Sequence, residues 1–110
     1  MNYLTELKIK AEIENTIFEA AKRENGNSVL YAPHEWTDLI IWVSPIIMQT
    51  IAAPFVTDAY NKMKRRIKEK FKSKGVRLSD EDTDNLFYNS FKIMDASKEA
   101  HVTWTSNWTS

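Results

Sequence analysis

The sequence contains no cysteine, which excludes disulfide bonds and thiolate metal sites. With two glycines and two histidines, it also has no glycine-rich phosphate loop, no HExxH zinc motif and no GxSxG nucleophile motif. His34 lies close to Glu35 and Asp38, but the only other histidine is His101, and no further ligands complete a metal or acid–base site. We therefore expect a protein that is not an enzyme and that uses no cofactor or metal.

The N-terminal residues lack the continuous apolar stretch and the small-residue cleavage site of a secretory signal. Hydrophobic residues make up 43% of the chain and charged residues 27%, which is typical of a globular protein. A chain of 110 residues can bury one modest core, so we expect a single domain over residues 1–110. A reducing cytoplasm suits a chain without cysteine. The expected localisation is cytoplasmic, with membrane association as an open alternative.

The net charge is zero, but the charges are separated along the chain. Residues 1–38 sum to −3, residues 39–77 to +7 and residues 78–110 to −4. Either the acidic ends fold back and neutralise the basic middle, or the middle binds an anionic partner.

The basic middle follows a long apolar segment. Residues 39–57 are nineteen residues without a charge, and residues 62–74 then contain eight Lys or Arg and one Glu. The apolar segment has three possible roles: the protein's own core, a buried interface with another chain, or membrane contact beside a basic helix that lies on anionic lipid.

In the N-terminal half, apolar and charged residues alternate over residues 5–14, which predicts a half-buried strand. A helix is expected near 16–25, and further strands near 28–32 and 39–43. The alternative for 5–14 is a helix, because Glu, Lys and Ala favour that state.

In the C-terminal half, Ser44 and Pro45 resemble an N-cap followed by the first helical residue. They predict a helix over 45–74 that is kinked at Pro54. Its apolar stripe has helical spacing and comprises Val56, Ala59, Tyr60, Met63, Ile67 and Phe71. Ser79 and Asp82 form a capping-box pattern for a helix over 80–97, and residues 102–108 alternate like a strand. The predicted fold class is α+β, a small sheet packed against helices, with a mostly α fold as the alternative.

The candidate binding residues are cations of the basic helix that lie outside the apolar stripe, together with two tryptophans of the C-terminal segment. They are Lys62, Lys64, Arg65, Arg66, Lys68, Lys72, Trp104 and Trp108. The tryptophans either dock on the domain itself or anchor a partner, since Trp is enriched at binding hot spots. The expected partner is a protein or a second copy of the chain, and an anionic membrane surface is the alternative. Non-specific nucleic-acid binding is a weaker prediction, because no recognised reader motif accompanies the cations.

Four features of residues 5–74 occur together. They are the predicted strand–helix–strand order, the break at Ala32-Pro33, the apolar segment after Asp38, and a helix motif formed by Asp58, Ala59, Tyr60, Met63, Lys64, Ile67 and Lys68. In these features the chain resembles small accessory modules of bacterial conflict systems. The resemblance implies a non-enzymatic partner of effector or protease domains, with no catalytic residue to transfer. The glycine-rich patch usual in that family is absent between Gly26 and Gly75.

These observations predict a non-catalytic protein-interaction or assembly module, such as an accessory subunit in bacterial defence. A second hypothesis is a membrane-associated effector or anchor that uses the apolar segment 39–57 and the basic helix 58–74. A third is an inhibitor that occupies a partner's site.

Overall fold

The computed structural model describes residues 2–25 and 34–98. They form the helices α1 (Tyr3–Asn25), α2 (His34–Ala52), α3 (Thr57–Ser73) and α4 (Asp80–Ala96). Consecutive helices contact each other, α4 contacts α1, and α2 meets α4 across the bundle. Side-chain contacts place α4 antiparallel to both α1 and α3, as the pairs Arg23–Asp82 and Lys68–Asp80 illustrate. The described residues are thus an up-and-down four-helix bundle.

The α+β prediction is wrong for the described part of the chain, which contains no strand. The mostly α alternative agrees with the structure. The predicted strands near 28–32 and 102–108 lie outside the described residues.

The predicted strand at 5–14 is part of α1. Its buried residues recur mostly every four positions and form one helical stripe: Thr5, Ile9, Ile13, Ile17, Ala20 and Ala21. The alternating pattern arose because Leu7 and Ala11 are apolar but lie exposed, outside that stripe. The helix preference of Glu, Lys and Ala therefore indicated the correct state.

The predicted strand at 39–43 and the helix start at Pro45 are also wrong, because α2 runs through Pro45 without a break. A proline within a helix leaves the carbonyl four residues earlier without its N–H partner. That residue is Ile41, which is 62% exposed, and Pro45 is exposed as well. Water can reach the carbonyl on this side of the helix, so the missing hydrogen bond costs less than it would in the core.

The predicted kinked helix over 45–74 is instead two helices. α2 ends at Ala52, Pro54 lies in the connection, and Val56 is the N-cap of α3 with an extended backbone. A residue that precedes proline avoids the helical conformation, which explains why α2 stops before Pro54. Gly75 follows α3 with a φ of +83°, a conformation that glycine adopts without strain.

The start of α4 lies where the capping-box pattern predicts it. The Ser79 hydroxyl accepts a hydrogen bond from the Asp82 backbone N–H at 3.0 Å, and the Ser79 N–H donates to the Asp82 carboxylate at 2.9 Å.

The apolar segment 39–57 supplies the centre of the bundle. One face of the segment turns inward, where Leu39, Val43, Ile47 and Ile51 are almost fully buried. They meet the stripe of α1 and the buried residues Leu86, Phe87, Phe91 and Met94 of α4. Among the three roles considered for this segment, the structure supports a core role for its inward face.

Replacing Pro45 by alanine distinguishes a continuous α2 from a helix that begins at Pro45. We expect Pro45→Ala to raise the free energy of unfolding by about 2–2.6 kcal/mol. The helix-interior cost of proline, about 3 kcal/mol, is partly offset by the ~0.4–1 kcal/mol that proline contributes by restricting the unfolded chain. Urea unfolding followed by circular dichroism measures the change.

The matched control is Pro54→Ala, which lies outside any helix and should lower stability by up to about 1 kcal/mol. A loss of stability in Pro45→Ala would contradict the continuous helix.

Candidate functional site

Apolar and cationic residues lie on different sides of α3. Of the predicted apolar stripe, only Tyr60, Ile67 and Phe71 are buried. Met63 is half-buried, Ala59 is exposed and Val56 is 57% exposed. The first turn of α3 therefore leaves apolar surface open. The cations occupy the outer side of the helix.

Two of the predicted binding cations are neutralised by α4. Lys68 donates a hydrogen bond to the Asp80 carboxylate at 2.6 Å, and Lys64 lies 3.3 Å from the Asp84 carboxylate. The acidic start of α4 folds back on the basic helix, as one of the two interpretations of the charge pattern predicts. Lys64 and Lys68 therefore support the packing of α3 on α4 and are only partly available to a partner.

A third cation, Arg66, lies over the ring of Trp42 on α2, with its guanidinium carbon 5.5 Å from the ring centroid. Lys70 lies over the same ring at 5.8 Å. Cation–π contacts of this kind contribute about 0.5–1 kcal/mol at exposed sites. Arg66 is thus partly engaged with its own protein.

Lys62, Arg65 and Lys72 remain exposed. No acidic side chain among residues 2–25 and 34–98 forms an ion pair with any of the three. Among the predicted binding cations, these three have neither an ion pair nor an aromatic contact with the described residues. Trp104 and Trp108, the other predicted binding residues, lie outside the described residues.

Four cations of α3 border a surface groove of about 540 Å³ between α3 and the α3–α4 connection, which we call the basic groove. Arg77 of the connection adds a fifth cation, and its Nε lies 3.8 Å from the Glu24 carboxylate of α1. With Glu69 and Asp80 also present, the lining residues carry a net formal charge of +3. The full lining is Asn61, Lys64, Arg65, Lys68, Glu69, Lys72, Arg77, Leu78 and Asp80.

Two carboxylates at the start of α4, Asp80 at the groove and Asp82 beside it in sequence, are held in the ionised state. The hydrogen bond and the positive charge of Lys68 lower the pKa of Asp80. For Asp82, burial opposes ionisation, but hydrogen bonds from the Ser79 backbone, from Arg23 and from the Ser79 side chain outweigh it and lower its pKa. Both groups therefore stay charged at neutral pH, and each stays bound to its cation.

Tyr60, near the start of α3, also joins α3 to α4. Its hydroxyl donates a hydrogen bond to the Asp84 carboxylate, and its ring meets Phe87 edge-on at a centroid distance of 5.0 Å. Burial, followed by the hydrogen bond and the charge of Asp84, raises the pKa of Tyr60 far above its usual value. The hydroxyl therefore remains protonated and continues to donate to Asp84.

The described residues contain no cluster of three or more His, Asp or Glu that could bind a metal ion. In the same part of the chain, no helix combines the length and the apolar character needed to cross a bilayer. The basic groove can bind an anionic group by charge and hydrogen bonding, since its lining supplies Lys, Arg and Asn donors.

Sequence reasoning missed the pairing between α3 and α4. The signal was available: Lys64 and Lys68 are four residues apart, and so are Asp80 and Asp84. On two antiparallel helices joined by a short connection, such sets face each other. Reasoning from the sequence also missed that Arg77, which lies outside the basic helix, lines the groove. It missed Trp42 as the aromatic partner of Arg66 and Lys70, because no sequence pattern indicates that contact.

Comparisons with protein-family models, with curated proteins and with solved structures found no match to this chain. The resemblance to accessory modules of conflict systems stays a prediction. The first strand of the strand–helix–strand order on which it partly rests is wrong, because residues 5–14 are helical, and the second strand, 28–32, lies outside the described residues.

The lowered pKa values predict acid sensitivity. A carboxyl group with a lower pKa in the folded than in the unfolded state stabilises the fold fully above the unfolded pKa of about 4. That contribution is lost as the pH falls through the folded pKa. We expect wild-type stability to fall from pH 5 toward pH 2, and Asp82→Asn to be less stable at neutral pH but to show a shallower acid dependence.

Urea unfolding at a series of pH values tests this. Ser79→Ala, which keeps the carboxyl group but removes the cap hydroxyl, should lose about 1 kcal/mol at neutral pH. An unchanged acid slope in Asp82→Asn would show that this carboxyl group is not responsible.

Proposed function

We propose that this chain is a non-catalytic protein-binding module that uses the basic groove to bind an acidic surface of a protein partner. The observation that carries the proposal is the set of exposed cations Arg65 and Lys72, which border the groove without an ion pair to a described residue. Exposed charge concentrated on one face steers oppositely charged partners and fixes their orientation.

The composition of the groove favours a protein over a nucleic acid. Glu69 and Asp80 lie among its cations and would repel a continuous run of phosphates. A protein surface can place acidic groups beside Arg65 and Lys72 and hydrogen-bond donors beside the two carboxylates. Arg65 can also form the bidentate pair with a carboxylate that its planar guanidinium favours.

The membrane hypothesis combined the basic helix with the apolar segment 39–57. One face of that segment lies in the core, as for Leu39, Val43 and Ile47, so less of its apolar surface is available to lipid than the sequence suggested, although Ile41 is exposed. An accessory subunit and an inhibitor that occupies a partner's site would both bind through the basic groove, so the two hypotheses share one surface.

NMR titration of the isotope-labelled full chain with a poly-glutamate peptide at low salt tests the proposal. We expect chemical-shift changes centred on α3 and Arg77. The double variant Arg65→Gln/Lys72→Gln should bind about 5–30-fold more weakly, because two exposed charge pairs contribute roughly 1–2 kcal/mol together. Added salt should weaken binding further.

The matched control is Lys8→Gln/Lys92→Gln, which removes the same charge from exposed positions on α1 and α4. It should leave the affinity within about twofold. Parallel titrations use duplex DNA and phosphatidylserine vesicles. Tighter binding of either probe through α3, or equal losses in the two double variants, would contradict the proposal.

A further inference from the structure

A second groove, of about 560 Å³, lies at the opposite end of α3 and shares no lining residue with the basic groove. We call it the apolar groove. It is formed where α2 ends and α3 begins, and its lining comprises Gln49, Thr50, Ala53, Pro54, Val56, Ala59, Tyr60, Lys62 and Met63. Its open apolar surface includes Pro54 and Ala59, which are exposed, and Val56, which is 57% exposed.

α4 ends at the level of this groove. The contacts between α3 and α4 run in antiparallel register, from Lys68–Asp80 through Lys64–Asp84 to Tyr60–Phe87. The same register places Thr57, the first residue of α3, level with about Phe91, so α4 continues for about one turn beyond the start of α3. The chain therefore leaves α4 at the same end of the bundle as the connection that forms the apolar groove.

Residues 99–110 continue from this point and contain two of the four tryptophans. From Val102 to Ser110 there is no charged residue. An uncharged segment with two large aromatic side chains matches a groove whose open surface is apolar, since each aromatic can bury about 150–250 Å².

We propose that the apolar groove binds this chain's own segment 102–108, with Trp104 and Trp108 as the anchoring side chains. The distance permits it: beyond the turn at Ser97 and Lys98, the six residues from Glu99 to Trp104 can span about 20 Å. α4 contacts both helices that form the groove, and neighbouring helix axes lie about 8–10 Å apart. A connection this short gives an effective concentration in the millimolar range, so even a weak groove is occupied.

Fluorine NMR of the full chain labelled with 5-fluorotryptophan tests this proposal. Single Trp→Phe variants assign the four signals, and the shift between normal and heavy water reports the solvent exposure of each indole. We expect the signals of Trp104 and Trp108 to be protected in the wild type. Ala59→Lys, which places a charge on an exposed wall of the groove, should make both fully solvent-exposed.

Ala11→Lys is the matched control, because Ala11 is also an exposed helical alanine but lies on α1 away from the groove. It should leave both signals protected. The signals of Trp36 and Trp42 in the bundle should stay unchanged in each variant, which shows that the fold is intact. If Ala59→Lys does not fold, Val56→Asn replaces it, since Asn supplies a cap at a position that now has none.

Three results would overturn the proposal. The first is full solvent exposure of Trp104 and Trp108 in the wild type. The second is protection that survives both groove variants or is lost in Ala11→Lys, which would move the binding site to another surface. The third is protection that disappears on hundredfold dilution, which would assign the groove to a second copy of the chain.

Discussion

The carboxylate of Asp84 fixes the position of α3 on α4. It accepts a hydrogen bond from the Tyr60 hydroxyl and lies 3.3 Å from the Lys64 ammonium group. One turn away, the pair of Lys68 and Asp80 repeats the contact at the edge of the helix. Together with the complete burial of Ile67 and Phe71, these contacts set the rotation of α3 about its own axis. That rotation determines which of its cations are neutralised and which point to solvent.

Both grooves follow from this rotation. With Lys64 and Lys68 turned toward α4, Arg65 and Lys72 line the outer side of the same helix and leave the basic groove with a net positive charge. At the other end of α3, the same rotation keeps Tyr60 inside while Val56 stays exposed beside the end of α2. An amphipathic helix with a strong charge pattern thus provides a core face, a basic groove and an apolar groove.

The sequence predicted the second half of the fold better than the first, and the reasons are local. Ser79 and Asp82 carry their own capping chemistry, so the start of α4 could be predicted without knowledge of the tertiary fold. α1 and α2 could not be predicted in this way. Exposed apolar residues such as Leu7 produce the alternation typical of a strand, and Ser44 followed by Pro45 is typical of a helix start although Pro45 lies inside α2. For the candidate site, the cations could be found from composition, but their separation into paired and unpaired groups depends on the antiparallel register of α3 and α4.

The most direct test is a double-mutant cycle on the free energy of unfolding, with Tyr60→Phe, Asp84→Asn and the double variant. If the hydroxyl and the carboxylate form the contact that fixes α3, the two substitutions are coupled by about 1–2 kcal/mol, a value at the lower end for a charged hydrogen bond because Asp84 is partly exposed. Additive effects, with a coupling below about 0.3 kcal/mol, would contradict this account.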